Sequence, residues 1–516
     1  MSQRKRIARG TLATLSGATA LSLVLAGCSD SGSSDGAAPA GGGDLVIGVT
    51  SDPDTLFPWT ATQFQAVNVL QNIYGTLTEL DSDMSVVPGL AEEWETSEDG
   101  STLTFHLRSG VTFQDGSAMD SEDVVFSLES IMAEETAAVA AASLAAVESV
   151  EAPDETTVVL NLNSPDASLP ANLASVNMAI LSSDDTEEEL NTQPNGTGPF
   201  TFDNRVSSQS VTLVRNEEFW GYPAALASVE FRVIPDESAI VSALQSGNVQ
   251  MAVFDDPLVA QTAETGDVTV EATAQLSYHT LMLNARRGDL ADRNVRLAIQ
   301  CAIDRQEVLD TAALGEGEVT GPITSPAYRS DPQARPCPER DLDQAAQYLE
   351  DAGVSDLTIN TIVSQGEYAT SVNEAQNLQA QLAEAGITLE LEVLESGAYV
   401  DRWVAGDFDA AVALNGGNPD PHGMYGRYFT SDGNLNPVAG YSSPELDDLF
   451  AQGRAIEDPE DRREIYHQIS DHLEDNAAWI WLFTSYSYTA TTSSVQGYTP
   501  MPNGSLRFLR TTALTS

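Results

Sequence analysis

GLAEEWETSEDGSTLTFHLRSGVTFQDGSAMDSEDVVFSLESI, running from Gly89 to Ile131, is the stretch that decides the fold. Asp99-Gly100 is a tight-turn dipeptide. After it Leu103, Phe105 and Leu107 alternate with Thr104, His106 and Arg108, the period of a half-buried strand. Ser109-Gly110 breaks that strand, Val111 and Phe113 form a short apolar pair, and Asp115-Gly116 turns the chain again. Ser121 stands at an N-cap position with Glu122 and Asp123 in a first turn that favours acids. Val124, Val125, Leu128 and Ile131 then make the apolar stripe of an amphipathic helix.

Residue identities narrow this further. Leu90-Ala91-Glu92, Trp94, Asp99-Gly100, Phe105, Leu107-Arg108, Gly110-Val111, Phe113, Asp115-Gly116 and Asp123 to Leu128 recur in one order. That succession resembles the signature of solute-binding protein family 5, the extracytoplasmic receptors of ABC importers for peptides, nickel and related solutes. Two further stretches resemble the same family, Asn195-Gly196-Thr197-Gly198-Pro199-Phe200 and the run from Asp292 to Arg305.

The chain has 516 residues, more than one core usually organises, so two lobes are expected. Its 77 acidic residues against 23 basic ones give a net charge of −54, and Lys5 is the only lysine. Such a chain is repelled by nucleic acid and anionic lipid. After Lys5 no P-loop or Schiff-base lysine exists. Arg4, Lys5, Arg6 and Arg9 precede a largely apolar run from Thr11 to Ala26, the form of a signal peptide. Leu25-Ala26-Gly27-Cys28 resembles a bacterial lipobox, which implies cleavage before Cys28 and acylation of its thiol. Ser29 to Gly43 is a Gly/Ser-rich tether reaching ~20 Å on average.

Along the rest of the chain, Asp44 to Val49, Val229 to Ile234 and Tyr278 to Asn284 read as strands. Gln63 to Tyr74, Ala133 to Val147 and Ser238 to Ser246 read as helices. From Asp341 onward strands and helices alternate, which implies parallel strands with right-handed crossovers. Pro444 and Pro459 open helices behind Ser443 and Asp458.

Enzymatic templates fail. No HExxH, G-x-S-x-G or Cys-x-x-Cys occurs, and the 5 histidines are scattered. Cys301 and Cys337 either pair, as thiols outside the cytoplasm often do, or stand as buried thiols. The loop from Asn415 to Tyr425, rich in Gly and Pro, is an exposed, shaped turn. It resembles the family's cleft loop, where peptide-binding members place an aspartate against the ligand's ammonium group. Here that place is Gly417, or Asn415 in a shifted alignment, and Asp420 or Asp409 stands in reserve.

The resemblance implies a two-lobed α/β fold of the periplasmic-binding-protein kind (type II, cluster C), with an extra subdomain in the first lobe. Expected divisions are a signal peptide at 1–27, a tether at 28–43, lobe I at 44–283 with its subdomain near 80–190, lobe II at 284–482, and a return to lobe I at 483–516. The expected function is capture of short peptides in an interlobe cleft by a lipid-anchored monomer outside the cell, with delivery to an ABC permease and ATPase. No cofactor, metal or nucleic acid is implied. Candidate ligand-binding residues are Trp59, Thr197, Gly198, Tyr278, His279, Trp403, Asn415, Gly417, Asp420 and Tyr425. Alternatives are the same receptor role for an oligosaccharide, opine or metal chelate, a secreted hydrolase, or an acidic surface scaffold.

Overall fold

The computed structural model describes residues 42–366 and 368–515, so the signal peptide, Cys28 and most of the tether lie outside the described residues. No described helix is long and apolar enough to cross a membrane. The larger sheet orders its strands as Val268–Ala274, Phe483–Thr492, Met251–Phe254, Asp44–Val49, Ser228–Val233, Ser210–Arg215 and Phe200–Val206. Asp44–Val49 lies parallel to both Ser228–Val233 and Met251–Phe254, putting Leu45 beside Val229 and Ile47 beside Phe231 in the core.

The stretch that opened the reading forms a separate layer on the same core. Ala91–Thr96, Thr102–Leu107, Thr157–Leu162 and Val147–Asp154 make a four-stranded antiparallel sheet. The helix Ser121–Met132 packs on it through Val124, Leu128 and Ile131. Its cap is Asp120 rather than Ser121, in a capping box closed by Asp123. Ser121 Oγ donates instead to the Asp154 carbonyl at 2.6 Å, tying helix to sheet. The expected helix over Ala133 to Val147 is replaced by two 3-10 turns, Glu134–Thr136 and Ala141–Leu144, because Ala137 turns left-handed and Val139 N donates to Trp59 O.

The second sheet runs Ile387–Glu395, Leu357–Gln365, Ala410–Asn415, Tyr278–Leu283 and Trp479–Trp481. Its first three strands are parallel, as the alternation predicted, with Ser371–Glu384 as the connecting helix. Tyr278–Leu283, read from sequence as the end of the first lobe, pairs antiparallel with Ala410–Asn415 and Trp479–Trp481 in this sheet. All six of its residues are buried, which is why it carries no polar alternation. The chain therefore leaves the larger sheet after Ala274, several residues before the expected division at 283.

Two short crossings join the sheets, at 275–277 and at Leu482. They are bonded to each other: Thr484 Oγ1 donates to Gln275 O at 2.6 Å, Gln275 N to Ser485 O at 3.0 Å, and Leu482 N to His279 O at 2.9 Å.

Cys301 and Cys337 are joined by a disulfide with Cα atoms 5.0 Å apart and a sequence separation of 36. It pins the helix Arg293–Ala302 to the segment that leads into the helix Leu342–Ala352. A loop of that length is expected to contribute about 4 kcal/mol by restricting the unfolded chain. Cys301→Ser/Cys337→Ser should lower the unfolding free energy from urea titration by that amount, with a lower midpoint, and adding reductant to the wild type should do the same. An unchanged midpoint in both would show that the cross-link is dispensable.

Candidate ligand-binding cleft

Two cavities open where the sheets face one another. The larger, ≈ 610 Å³, lies beyond the carboxyl ends of Asp44–Val49 and Met251–Phe254, where ligands of open α/β sheets bind. Its opposite wall is Gly416, Gly417 and Pro419, which follow the carboxyl end of Ala410–Asn415, and its floor includes Gln275, Leu276 and Ser277 of the first crossing. The smaller cavity, ≈ 350 Å³, shares Phe64, Asn68, Pro419 and Asn503 with the larger one.

The charged groups are unevenly divided. Among the described residues, Glu237 and Asp255 are the only charged ones lining the larger cavity, and Arg507 is the only one lining the smaller. Each carboxylate sits beside a helix cap that is already occupied. Asp236 caps Glu237–Gln245 by accepting from Ala239 N, and Asp256 caps Pro257–Ala263 by accepting from Leu258 N. Glu237 has no hydrogen-bond partner or ion pair in the described structure, and Asp255 accepts only from Gln275 Nε2, at 3.0 Å. Burial raises the Asp255 carboxyl above its ordinary range. Burial and then the neighbouring Asp256, Asp255 and Asp236 do the same for Glu237.

Asn68 stands on the wall common to both cavities and is only 6% exposed. Its Oδ1 accepts from Gln71 Nε2 at 2.7 Å and from Leu506 N at 3.3 Å, while its Nδ2 has no protein partner. Arg507 is buried against Glu79 at 3.5 Å, and Arg510 reaches the same carboxylate at 2.8 Å. One acid thus balances two guanidinium groups. Although burial opposes its charge, Arg507 and Arg510 hold Glu79 below the usual carboxylate range.

Of the residues nominated from sequence, Gly417 alone lines either cavity. It can do so only as glycine in this arrangement: a Cβ there would fall 2.1 Å from Leu276 Cβ and 2.2 Å from Leu276 C. Asp420 is 1% exposed and is spent on Arg462, with Oδ1 3.0 Å from Nη2 and Oδ2 facing Nη1. Asp409 is held by Asn360 through its N and Nδ2. Trp59 is core in the first lobe, donating Nε1 to Ala179 O at 2.9 Å. Thr197 and Gly198 line only a ≈ 10 Å³ recess, where Gly198 N donates to Ile73 O at 2.7 Å.

Tyr278 and Tyr425 stack with centroids 5.8 Å apart inside the second lobe, and burial drives both phenols up. Asn415 accepts from Tyr428 OH at 3.2 Å, and Trp403 Nε1 faces Met282 Sδ at 3.2 Å. His279 lies between Glu374, 2.8 Å from Nδ1, and Ser485, 3.0 Å from Nε2, with Phe483 stacked on its ring at 4.2 Å. Serine, histidine and acid stand there in hydrolase order, yet none of them lines either cavity. They tie the start of the strand Phe483–Thr492 to the helix Ser371–Glu384. Among the described residues no cluster of three or more His, Cys, Asp or Glu is placed to hold a metal ion.

Two α/β lobes, two bonded crossings and a crevice at the carboxyl ends of both sheets define a two-lobed binding protein of the periplasmic kind. The sequence comparison places it more closely. Residues 85–436 match the family described as "Bacterial extracellular solute-binding proteins, family 5 Middle", and the chain belongs to that family. It is 29% identical to the "Probable di/tripeptide-binding protein 5" of Pseudomonas aeruginosa, over 92% of this chain and 96% of that one. It is 26% identical to the oligopeptide-binding protein AppA of Bacillus subtilis, over 94% and 95%. Among solved structures, HbpA2 of Haemophilus parasuis superposes with a TM-score of 0.84 at 25% identity, covering 92% of this chain and 100% of that one. DppA of Helicobacter pylori in complex with the peptide STSA gives 0.69 at 26% identity, covering 92% and 99%.

Proposed function

We propose that this chain is the substrate-binding receptor of an ABC importer, capturing short peptides in the ≈ 610 Å³ interlobe cavity and passing them unchanged to a membrane permease. The observation that carries the reading is the pair of carboxylates without cationic partners in that cavity, in a family whose similar members are named for di/tripeptides and oligopeptides. Glu237 is half-buried and Asp255 exposed on the cavity wall, neither with a counter-charge, so a ligand cation placed between them would meet two open acceptors. Closure of the lobes about the two crossings would bury the peptide. The receptor works outside the cytoplasm as a monomer, held to the membrane through an acylated Cys28. The basic residues ahead of the apolar leader and the Leu25-Ala26-Gly27-Cys28 sequence support that anchor. It does no chemistry on what it holds, in keeping with a Ser485, His279 and Glu374 set that lines neither cavity.

Native mass spectrometry of the protein as purified tests this. Ligand masses resolving into peptides of a few residues, displaced intact by added peptide, are expected. A carried sugar, opine or metal chelate, or cleavage of an added peptide, would overturn it.

A further inference from the structure

Away from the crossings, the lobes meet again at one turn. Residues 163–168 link the strand Thr157–Leu162 of the four-stranded layer to the short helix Leu169–Asn172. Leu169 N donates to Asp166 O at 3.2 Å, and Ser168 has φ −85° and ψ −15°, the geometry of the third residue of a type I turn. Asp166 Oδ1 accepts from Ser168 N at 3.1 Å. The turn is braced on Asp99-Gly100, where a Cβ on Gly100 would lie 2.9 Å from the Pro165 ring.

Three contacts run from this turn to the end of the helix Pro444–Ala455 in the second lobe. Ala167 N donates to Arg454 O at 2.8 Å, Arg454 Nη2 donates to Ser164 Oγ at 3.3 Å, and Asp166 Oδ2 stands 3.5 Å from the same Nη2. Among the described residues this is the one ion pair that joins the lobes. The Arg454 carbonyl is among the last four of its helix, which have no intrahelical donor. Its guanidinium group has no acceptor in its own lobe among the described residues, and its Nε is buried without a partner. Both groups are therefore satisfied from the first lobe.

On each side the contact is tied to a wall of the smaller cavity. Ala171 and Asn172, on the helix that the turn leads into, line that cavity from the first lobe, and Asn418 and Pro419 line it from the second. Asp420 follows them and holds Arg462, whose Nε donates to Gly453 O at 2.8 Å, next to Arg454. Rigid connections thus run from each wall to the Asp166–Arg454 contact, which sets the spacing between the walls.

We propose that Asp166, Ala167 and Arg454 form a latch that holds the lobes closed, with the four-stranded layer as its first-lobe half, and that its breaking governs how fast a bound solute leaves. The latch depends on lobe closure and not on which solute the cleft holds. Asp166 and Arg454 line neither cavity, so they are positioning residues that act on a ligand through the lobes. Their side chains are 11% and 33% exposed, a setting in which an ion pair alone is weak, and the main-chain bond carries most of the effect. A contact of this size favours the closed form several-fold without locking it, so release remains possible.

Ala167→Pro probes the latch directly. Proline fits the second position of a type I turn, so it removes the N–H that reaches Arg454 O and leaves the turn in place. Arg454→Met removes the ion pair and keeps the side-chain stem. Spin labels at Glu188→Cys in the first lobe and Glu460→Cys in the second, both exposed, report lobe separation by double electron–electron resonance. Each latch variant should raise the ratio of the longer to the shorter separation about fivefold, the worth of one hydrogen bond. Dissociation of peptides drawn from a random tripeptide library should quicken by a similar factor with association unchanged. Urea unfolding should show no loss of stability, whereas a merely structural turn would lose stability and leave the separations alone. Should Ala167→Pro fail to fold, Arg454→Met decides. Unchanged separations, or parted lobes with an unchanged dissociation rate, would overturn the latch and leave peptide capture intact. A wild type that binds no tripeptide, with lobes that still part in both variants, would support the latch and overturn the peptide reading.

Discussion

Asp420→Ala is expected to lower folding stability by about 3–5 kcal/mol, the usual cost of leaving one member of a buried ion pair without its partner. Arg462 is buried, and its guanidinium group faces Asp420, Tyr328 OH and the Gly453 carbonyl. Burial opposes its charge, yet Asp420 beside it holds the guanidinium protonated well above its usual range. Without the carboxylate that positive charge has no counter-ion in the second lobe's core, beside Tyr328 and Tyr466 rings 5.3 and 5.0 Å away. Asp420→Ala/Arg462→Met should recover most of the loss, because a packed apolar pair often replaces a buried salt bridge at little cost. Urea unfolding of the wild type, both single variants and the double variant closes the cycle. The same experiment separates structure from recognition. If Asp420→Ala melted like the wild type but bound peptide tenfold more weakly, Asp420 would be a ligand group and the pairing described here would be incidental.

Much of the architecture was legible because each lobe obeys the period of its elements. Thr102–Leu107 alternates strictly and buries Leu103, Phe105 and Leu107 on one face. Gly353 and Gly386 close their helices in left-handed conformations, at φ of 70° and 77°. Where the reading slipped, a rival local signal was present. Asp120 and Ser121 are both good caps, and the acid three residues after Asp120 decides between them through the capping box. The alanines after Ala133 favour a helix only where nothing competes; here Leu144 is drawn into the core from the second 3-10 turn and Ala138 from the link between the two.

The cleft was less legible. Glu237 and Asp255 are two acids among 77, and what distinguishes them is the partner each lacks, a property of the folded chain. A trace existed in Asp255-Asp256-Pro257: Asp256 before a proline is spoken for as a cap, which leaves Asp255 without local work. The reverse holds for Asp420. It belongs to a loop of the right kind, and only its pairing with Arg462, 42 residues away in sequence, removes it from the site.

Gly417→Asp, which places a carboxylate where peptide-binding relatives are expected to carry theirs, should damage this protein rather than improve it. Tyr278 pairs with Asn415 in the antiparallel ladder, so Leu276 and Gly417 face each other two residues beyond its end. The strands run so close there that a Cβ on residue 417 meets the Leu276 main chain at 2.2 Å. Overpacking against side chains costs ~1–3 kcal/mol, and a main-chain obstruction at a crossing allows less relief. More than ~3 kcal/mol of stability should therefore be lost. The strain falls on Leu276, which lies in the crossing that ties the lobes and lines the larger cavity, so peptide affinity should fall with it. Gly417→Ala supplies the control: it has the same Cβ and no charge, and should lose a similar amount. A Gly417→Asp protein that binds free tripeptides more tightly than the wild type would show that the loop retains the ammonium site. The first-lobe acids would then be solvated bystanders.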